Sequence, residues 1–137
     1  LKALARAETV EGAPLIEDAD FKRKVAELEI DLTALEVTEL RTLAREQAGR
    51  GPGPESSLLK IKGTEIQQRL TELALEAVGS YGAPSVRGFR DMGDNFSVGP
   101  DHAHWTAPNY FNMRKTSIYG GSNEIQRNII AKMVLGL

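Results

Sequence analysis

The stretch Ser117-Ile118-Tyr119-Gly120-Gly121-Ser122-Asn123-Glu124-Ile125-Gln126-Arg127-Asn128-Ile129-Ile130-Ala131-Lys132-Met133-Val134-Leu135-Gly136-Leu137 decides how the rest of the chain is read. Two glycines behind an aromatic residue allow a tight turn and a close approach by other groups, because neither carries a Cβ. A helix follows. Ser122 or Asn123 is its N-cap, and with Asn123 in that place Gln126 stands where the return partner of a capping box belongs. Ile125, Ile129 and Val134, flanked by Ile130 and Met133, recur at helical spacing and form an apolar stripe that must pack on something larger. The helix is therefore expected to be docked, with first-turn amides open to a ligand.

Upstream, Ala107-Pro108-Asn109 starts a short helix, Tyr110 to Ser117, that leads into this stretch. Residues Arg87 to Thr106 hold several Gly, Asp and Asn, both histidines and the single Trp, without periodicity. A loop of this length in a compact domain usually carries function or covers a partner. Val78-Gly79-Ser80-Tyr81-Gly82-Ala83-Pro84 is a helix stop. The helix it ends, capped by Ser56 or Ser57, runs through Leu59, Ile66, Leu70, Leu73 and Ala77, with Leu58, Ile61 and Leu75 widening its face. Gly63 costs about 1 kcal/mol against Ala there, and is either required by a close helix crossing or simply tolerated.

Glycine and proline across Ala48 to Pro54 end an earlier, longer helix. That helix is capped by Asp18 or Asp20 and presents Phe21, Val25, Leu28, Leu32, Leu35, Leu40 and Leu43 as one continuous stripe. Lys22, Arg23, Glu27, Glu29, Glu36, Glu39 and Arg41 occupy its other face, read as solvated surface or, in part, as contact with another subunit. Glu8 to Asp20 reads as a connecting loop, and Leu1 to Arg6 as the tail of a helix whose beginning lies outside the sequence. No period-two alternation appears, so no strand is expected. Four helical segments with short joins predict an all-α fold, an antiparallel up-and-down helical bundle, spanning residues 1–137 as a single domain.

Composition narrows the function classes. With 41% hydrophobic and 26% charged residues the chain has an ordinary globular balance. Its 17 basic and 19 acidic residues leave a net charge of −2, which gives no electrostatic basis for binding nucleic acid or an anionic membrane surface. No apolar run approaches the roughly 20 residues of a membrane helix. The chain has no cysteine, which removes disulfides, thiolate nucleophiles and Cys-based metal sites and suits a cytoplasmic location. His102 and His104 lack a third ligand, so no metal site is expected and a surface loop is the better reading.

The run Ile118-Tyr119-Gly120-Gly121-Ser122-Asn123-Glu124-Ile125-Gln126-Arg127 resembles the C-terminal signature of the acyl-CoA dehydrogenases, flavoproteins that desaturate acyl-CoA thioesters between Cα and Cβ. The resemblance covers most of the chain and is most specific from Tyr110 onward. It implies the C-terminal helical domain of such an enzyme with its first helix missing. The central β-domain and N-terminal helical domain would likewise lie outside 1–137, which makes the sequence a C-terminal fragment of a longer chain.

The resemblance also implies roles. FAD would be the cofactor, acyl-CoA the substrate, and an electron-transfer flavoprotein or similar acceptor a partner, within a homo- or hetero-oligomer. Ser122 and Glu124 match positions that hydrogen-bond the adenosine diphosphate portion of FAD. Gly82 matches a glycine near the FAD of a neighbouring subunit, although the Gln frequent just upstream is Gly79 here and a second glycine is Ala83. Gly121 matches the backbone position against the thioester, and Tyr119 an aromatic lining the acyl channel.

The reaction needs a carboxylate base against Cα and hydrogen bonds to the thioester oxygen. Many members carry that base as a Glu directly after the signature Tyr, where this chain has Gly120. Some members with Gly there supply the carboxylate from the preceding helix, and others are non-catalytic partner subunits. No catalytic residue is therefore assigned within 1–137. Glu124 is the nearest acid, but a carboxylate in the first turn of a helix is stabilised as an anion and is a weaker base. The alternative reading is a non-catalytic partner subunit or assembly domain. Arg114 and Lys115 could meet phosphate and are read as solvated.

Overall fold

The computed structural model describes residues 1–51, 53–84 and 98–136. Its described elements are helical apart from one short hairpin, in the order α1 (Lys2–Ala7), β1 (Thr9–Val10), β2 (Ala13–Pro14), α2 (Ala19–Gln47), α3 (Glu55–Val78), α4 (Thr106–Met113) and α5 (Asn123–Leu135). This is the expected all-α fold. The chain forms two compact units, Leu1–Val25 with Leu70–Met113, and Ala26–Arg69 with Arg114–Leu137. In the first, Lys24 Nζ lies 2.6 Å from Glu76 Oε1, joining the start of α2 to the end of α3. In the second, Arg45 pairs with Glu55, joining the end of α2 to the start of α3. Leu35 also lies against Gly63, so within this second unit the stretches of α2 and α3 run antiparallel.

In the first unit Asp18 is the cap of α2, accepting from the Phe21 amide at 2.8 Å. Asp20 lies within the first turn, where Arg23 and Lys24 bind its carboxylate at 2.8 and 2.7 Å. Phe21, Val25, Leu73, Ala77 and Val78 are buried with Ala5 and Ala103. The segment from Glu8 to Asp20, expected to be a loop, holds the β1–β2 hairpin, with Thr9 opposite Pro14 and Val10 opposite Ala13. Glu11 and Gly12 make its turn at φ 51° and 84°, the paired left-handed geometry that suits a two-residue hairpin loop. Strands of two residues are too short to show a period, which is why no alternation announced them.

Between α3 and α4 the structure shows a 3-10 turn at Gly79–Gly82 and another at Asp101–Trp105. The remainder of the long intervening segment, 85–97, lies outside the described residues. α4 begins at Thr106, four residues ahead of Tyr110, with the Thr106 hydroxyl donating to Ala103 O at 2.7 Å. Pro108 is accommodated because a first-turn residue needs no intrahelical donor. The helix gives way to a 3-10 turn at Arg114–Ser117, so the expected stop at Ser117 combines two elements.

In the second unit α3 starts ahead of both predicted caps. The Leu58 amide donates to Pro54 O, so Pro54 takes the cap position and Ser57 is buried in the first turn. Proline suits the entry to a helix, where no intrahelical donor is required. A Cβ on Gly63 would sit 3.9 Å from Leu35 Cδ2, an ordinary contact, so the helix crossing does not demand glycine.

The α2 stripe does not remain buried along its length. It is covered as far as Leu28, whereas Leu32, Leu40 and Leu43 are exposed. On another face, Ala26, Ile30, Thr33, Ala34 and Val37 line an open apolar groove. No described helix is long and apolar enough to cross a membrane.

Candidate functional site

Tyr119, Gly121, Ser122 and Glu124 lie together in the second unit, on the turn that enters α5. The approach to that turn is held to α3 by a reciprocal pair. Arg114 Nη2 donates to Gln68 O at 2.7 Å, and Gln68 Nε2 donates back to Arg114 O at 3.1 Å and to the buried Thr116 hydroxyl at 3.3 Å. Arg114 therefore anchors the turn, rather than remaining solvated.

Beyond this anchor Ile118 and Tyr119 are exposed. Gly120 and Gly121 adopt φ 68° and 84°, left-handed values that residues with a Cβ resist. Among the described residues a Cβ on Gly120 would meet nothing within 4 Å, so they leave open the space that a side chain would fill. Gln126 Nε2 donates to Gly120 O at 3.2 Å, bracing the turn from the helix side.

Ser122 is the N-cap, with φ −60° and ψ 156°, and its hydroxyl accepts from the Ile125 amide at 3.4 Å. Gln126 consequently binds the glycine turn instead of closing a capping box on Asn123. Asn123 is the first helical residue and is buried, with its side chain turned to α3. Its Oδ1 accepts from Lys60 Nζ at 2.7 Å and its Nδ2 donates to Thr64 Oγ1 at 3.2 Å.

Asn123 thus fastens the helix to α3, with Arg127 reaching Glu65 Oε1 at 3.4 Å, while the apolar stripe expected to do so is largely uncovered. Ile125, Ile129, Met133 and Val134 are all exposed. Helical spacing identifies residues that share a face and says nothing of what is present to cover it.

Glu124 is exposed on the first turn of α5. Its carboxyl is held below the usual carboxylate range, chiefly by a hydrogen bond from its own backbone amide, then by the Ser122 hydroxyl, with Arg127 and Lys60 adding positive charge. A carboxyl lowered in this way is a weaker base. Gly120 carries no side chain, which leaves Glu124 as the acid on this turn.

Gly82 belongs to the first unit, in the 3-10 turn after α3. A Cβ there would fall 2.5 Å from Leu75 Cδ1 and 3.3 Å from Val78 Cγ2, so local packing already accounts for glycine. His102 pairs with Glu8, and among the described residues no group of three His, Cys, Asp or Glu gathers to hold a metal. The sequence does not single out Lys60, Thr64 and Gln68, each one polar residue on a helix whose apolar face carries the signal.

The match to known proteins is consistent with this geometry. A family model described as acyl-CoA dehydrogenase, C-terminal domain, matches residues 1–135. Acyl-CoA dehydrogenase IpdE1 of Mycobacterium tuberculosis is 31% identical over 140 residues, a match covering 100% of this chain and 30% of that protein. Among solved structures, the FAD complex of PigA superposes with a TM-score of 0.75 at 18% identity, over 99% of this chain and 31% of that one. The ChsE4–ChsE5 complex from Mycobacterium tuberculosis gives 0.71 at 22%, over 99% and 33%.

At these identities the structural likenesses speak for the fold alone. The chain spans under a third of the length of the curated relative. With the signature turn in place and the family match running nearly end to end, the chain belongs to the acyl-CoA dehydrogenase family, as a C-terminal domain.

Proposed function

We propose that this chain is the C-terminal helical domain of an FAD-dependent acyl-CoA dehydrogenase that desaturates an acyl-CoA thioester between Cα and Cβ. In this reading it contributes to the FAD and substrate sites and to subunit assembly in a homo- or hetero-oligomer. The observation that carries the reading is the Tyr119–Glu124 turn, an exposed aromatic, an open glycine step, a hydroxyl and an anionic acceptor presented on a helix fastened to α3.

The residues fit the cofactor in a specific way. An ionised carboxylate accepts hydrogen bonds and repels anions. Glu124 therefore suits the hydroxyl-bearing ribose of the FAD adenosine diphosphate portion rather than its phosphates, with Ser122 beside it. FAD, when bound, would accept the hydride from Cβ. Tyr119 would line the acyl channel, the Gly121 backbone would lie against the thioester, and Gly82 would approach a neighbouring subunit's FAD. The base is assigned outside residues 1–137. An electron-transfer flavoprotein or similar acceptor would reoxidise the flavin, in the cytoplasm. The exposed faces of α2 and α5 support packing against other parts of a larger assembly.

A second reading, a non-catalytic partner subunit, is favoured by Gly120 in place of the common Glu and by Gly79 and Ala83 in the cross-subunit loop. In either case Glu124→Gln tests the cofactor contact. In the full-length protein it should lower flavin affinity several-fold while far-UV circular dichroism stays unchanged. Flavin affinity equal to wild type would contradict the role of Glu124.

A further inference from the structure

Lys60 is a half-buried lysine on α3 whose ammonium reaches both ends of the signature turn. Its Nζ donates to Ser117 O at 3.4 Å, immediately before the turn, and to Asn123 Oδ1 at 2.7 Å, immediately after it. Between these anchors the chain projects Ile118, Tyr119, Gly120 and Gly121 into the open, with Ser122 half-buried. Two successive left-handed glycines give this segment much conformational freedom to lose. One cation therefore grips the two fixed points of the loop, whose middle is braced by Gln126 at Gly120 O.

Thr64 completes the arrangement. Its hydroxyl donates to Ile61 O at 2.8 Å and accepts from Asn123 Nδ2 at 3.2 Å. The Asn123 amide is thereby held from both its oxygen and its nitrogen, which sets its orientation. A charge-assisted hydrogen bond is stronger and geometrically tighter than a neutral one, so Lys60 contributes the larger share.

We infer that Lys60, acting through Asn123 and the Ser117 carbonyl, is a positioning residue that presents the Tyr119–Ser122 turn to its ligand. The consequence for ligand binding rests on the proposed function, whereas the consequence for the turn does not. Lys60 touches no reacting atom in this account. Its effect is to hold the turn in the conformation the ligand requires, so that binding need not order it.

The test uses the full-length protein as wild type, Lys60→Met, Lys60→Arg and Thr64→Val. Amide hydrogen exchange is read at Ile118, Tyr119 and Gln126, whose N–H groups are hydrogen-bonded at the two edges of the turn. In Lys60→Met, exchange at these amides should accelerate about tenfold relative to the amides of α3, the size expected for losing one charge-assisted bond. KM for acyl-CoA should rise by a similar factor while kcat stays within about twofold. Lys60→Arg should recover most of both effects, and Thr64→Val should fall between.

Unchanged exchange in Lys60→Met would overturn the inference. If Lys60→Met does not fold, unchanged exchange in Thr64→Val would do the same. A wild type that neither holds flavin nor turns over would refute the functional reading, and the exchange comparison would still decide the role of Lys60.

Discussion

Asn123 combines burial with a complete set of polar partners, and its removal has a definite cost. Asn123→Ala leaves the Lys60 ammonium without its nearer acceptor and the Thr64 hydroxyl without the donor that binds it, so it should destabilise the folded chain by roughly 1–3 kcal/mol, measurable by chemical denaturation. A loss below about 0.5 kcal/mol would mean that water replaces the amide. Gly63 gives the opposite sign. Its helical position has room for a Cβ, so Gly63→Ala should stabilise by about 0.5–1 kcal/mol. Destabilisation would show that the crossing with Leu35 is closer than its 3.9 Å spacing allows.

Glu124 makes a prediction in pH. Its folded carboxyl titrates below the usual range, so folding favours the ionised form. The stabilisation is fully present above the unfolded carboxyl's range and is lost as pH falls through the folded one. Glu124→Gln should therefore flatten the acid limb of the stability curve below the usual carboxylate range and leave its shape near neutrality unchanged. An acid limb identical to wild type would remove the account of its hydrogen bonds. Asp20, lowered by Lys24 and then Arg23, keeps its own share of the limb in the variant.

Among the elements, α2 separates what its sequence pattern shows from what it leaves open. Leu28 and Leu40 belong to the same predicted stripe, yet only Leu28 is buried. In dilute chain, Leu28→Ala should cost about 2–5 kcal/mol by the loss of packed volume, and Leu40→Ala below about 0.5 kcal/mol as a surface change. Comparable losses at both positions would show that the stripe is covered throughout.

The helices themselves were legible because 3.6-residue spacing, the Asp18 cap and the Gly/Pro stop after Gln47 point to the same boundaries. The hairpin was not, since two-residue strands carry no period. The α3 start was misplaced because a serine preceding an apolar run outranks a proline as a cap by propensity, whereas the backbone enters the helix earlier. At the site, the glycine turn and Ser122 were readable from residue type. The link from Lys60 to Asn123 was not, because it joins residues 63 positions apart.

At the scale of the molecule, exposed apolar residues on α2 and α5 leave surface that a larger assembly would bury. The 137-residue chain on its own should associate with rising concentration in sedimentation velocity, and lysine at Val37 and Val134 together should reduce that association. A monomeric, cooperatively folded chain across the range would contradict it. The central claim concerns chemistry, and it is tested most directly by the visible absorption spectrum of the full-length protein, purified natively and titrated anaerobically with a panel of acyl-CoA thioesters. A bound flavin band that bleaches with at least one thioester is the predicted result, and it would place the base outside Gly120. A flavin that no thioester bleaches, or a protein without flavin, would contradict the dehydrogenase reading and leave the non-catalytic partner subunit in its place.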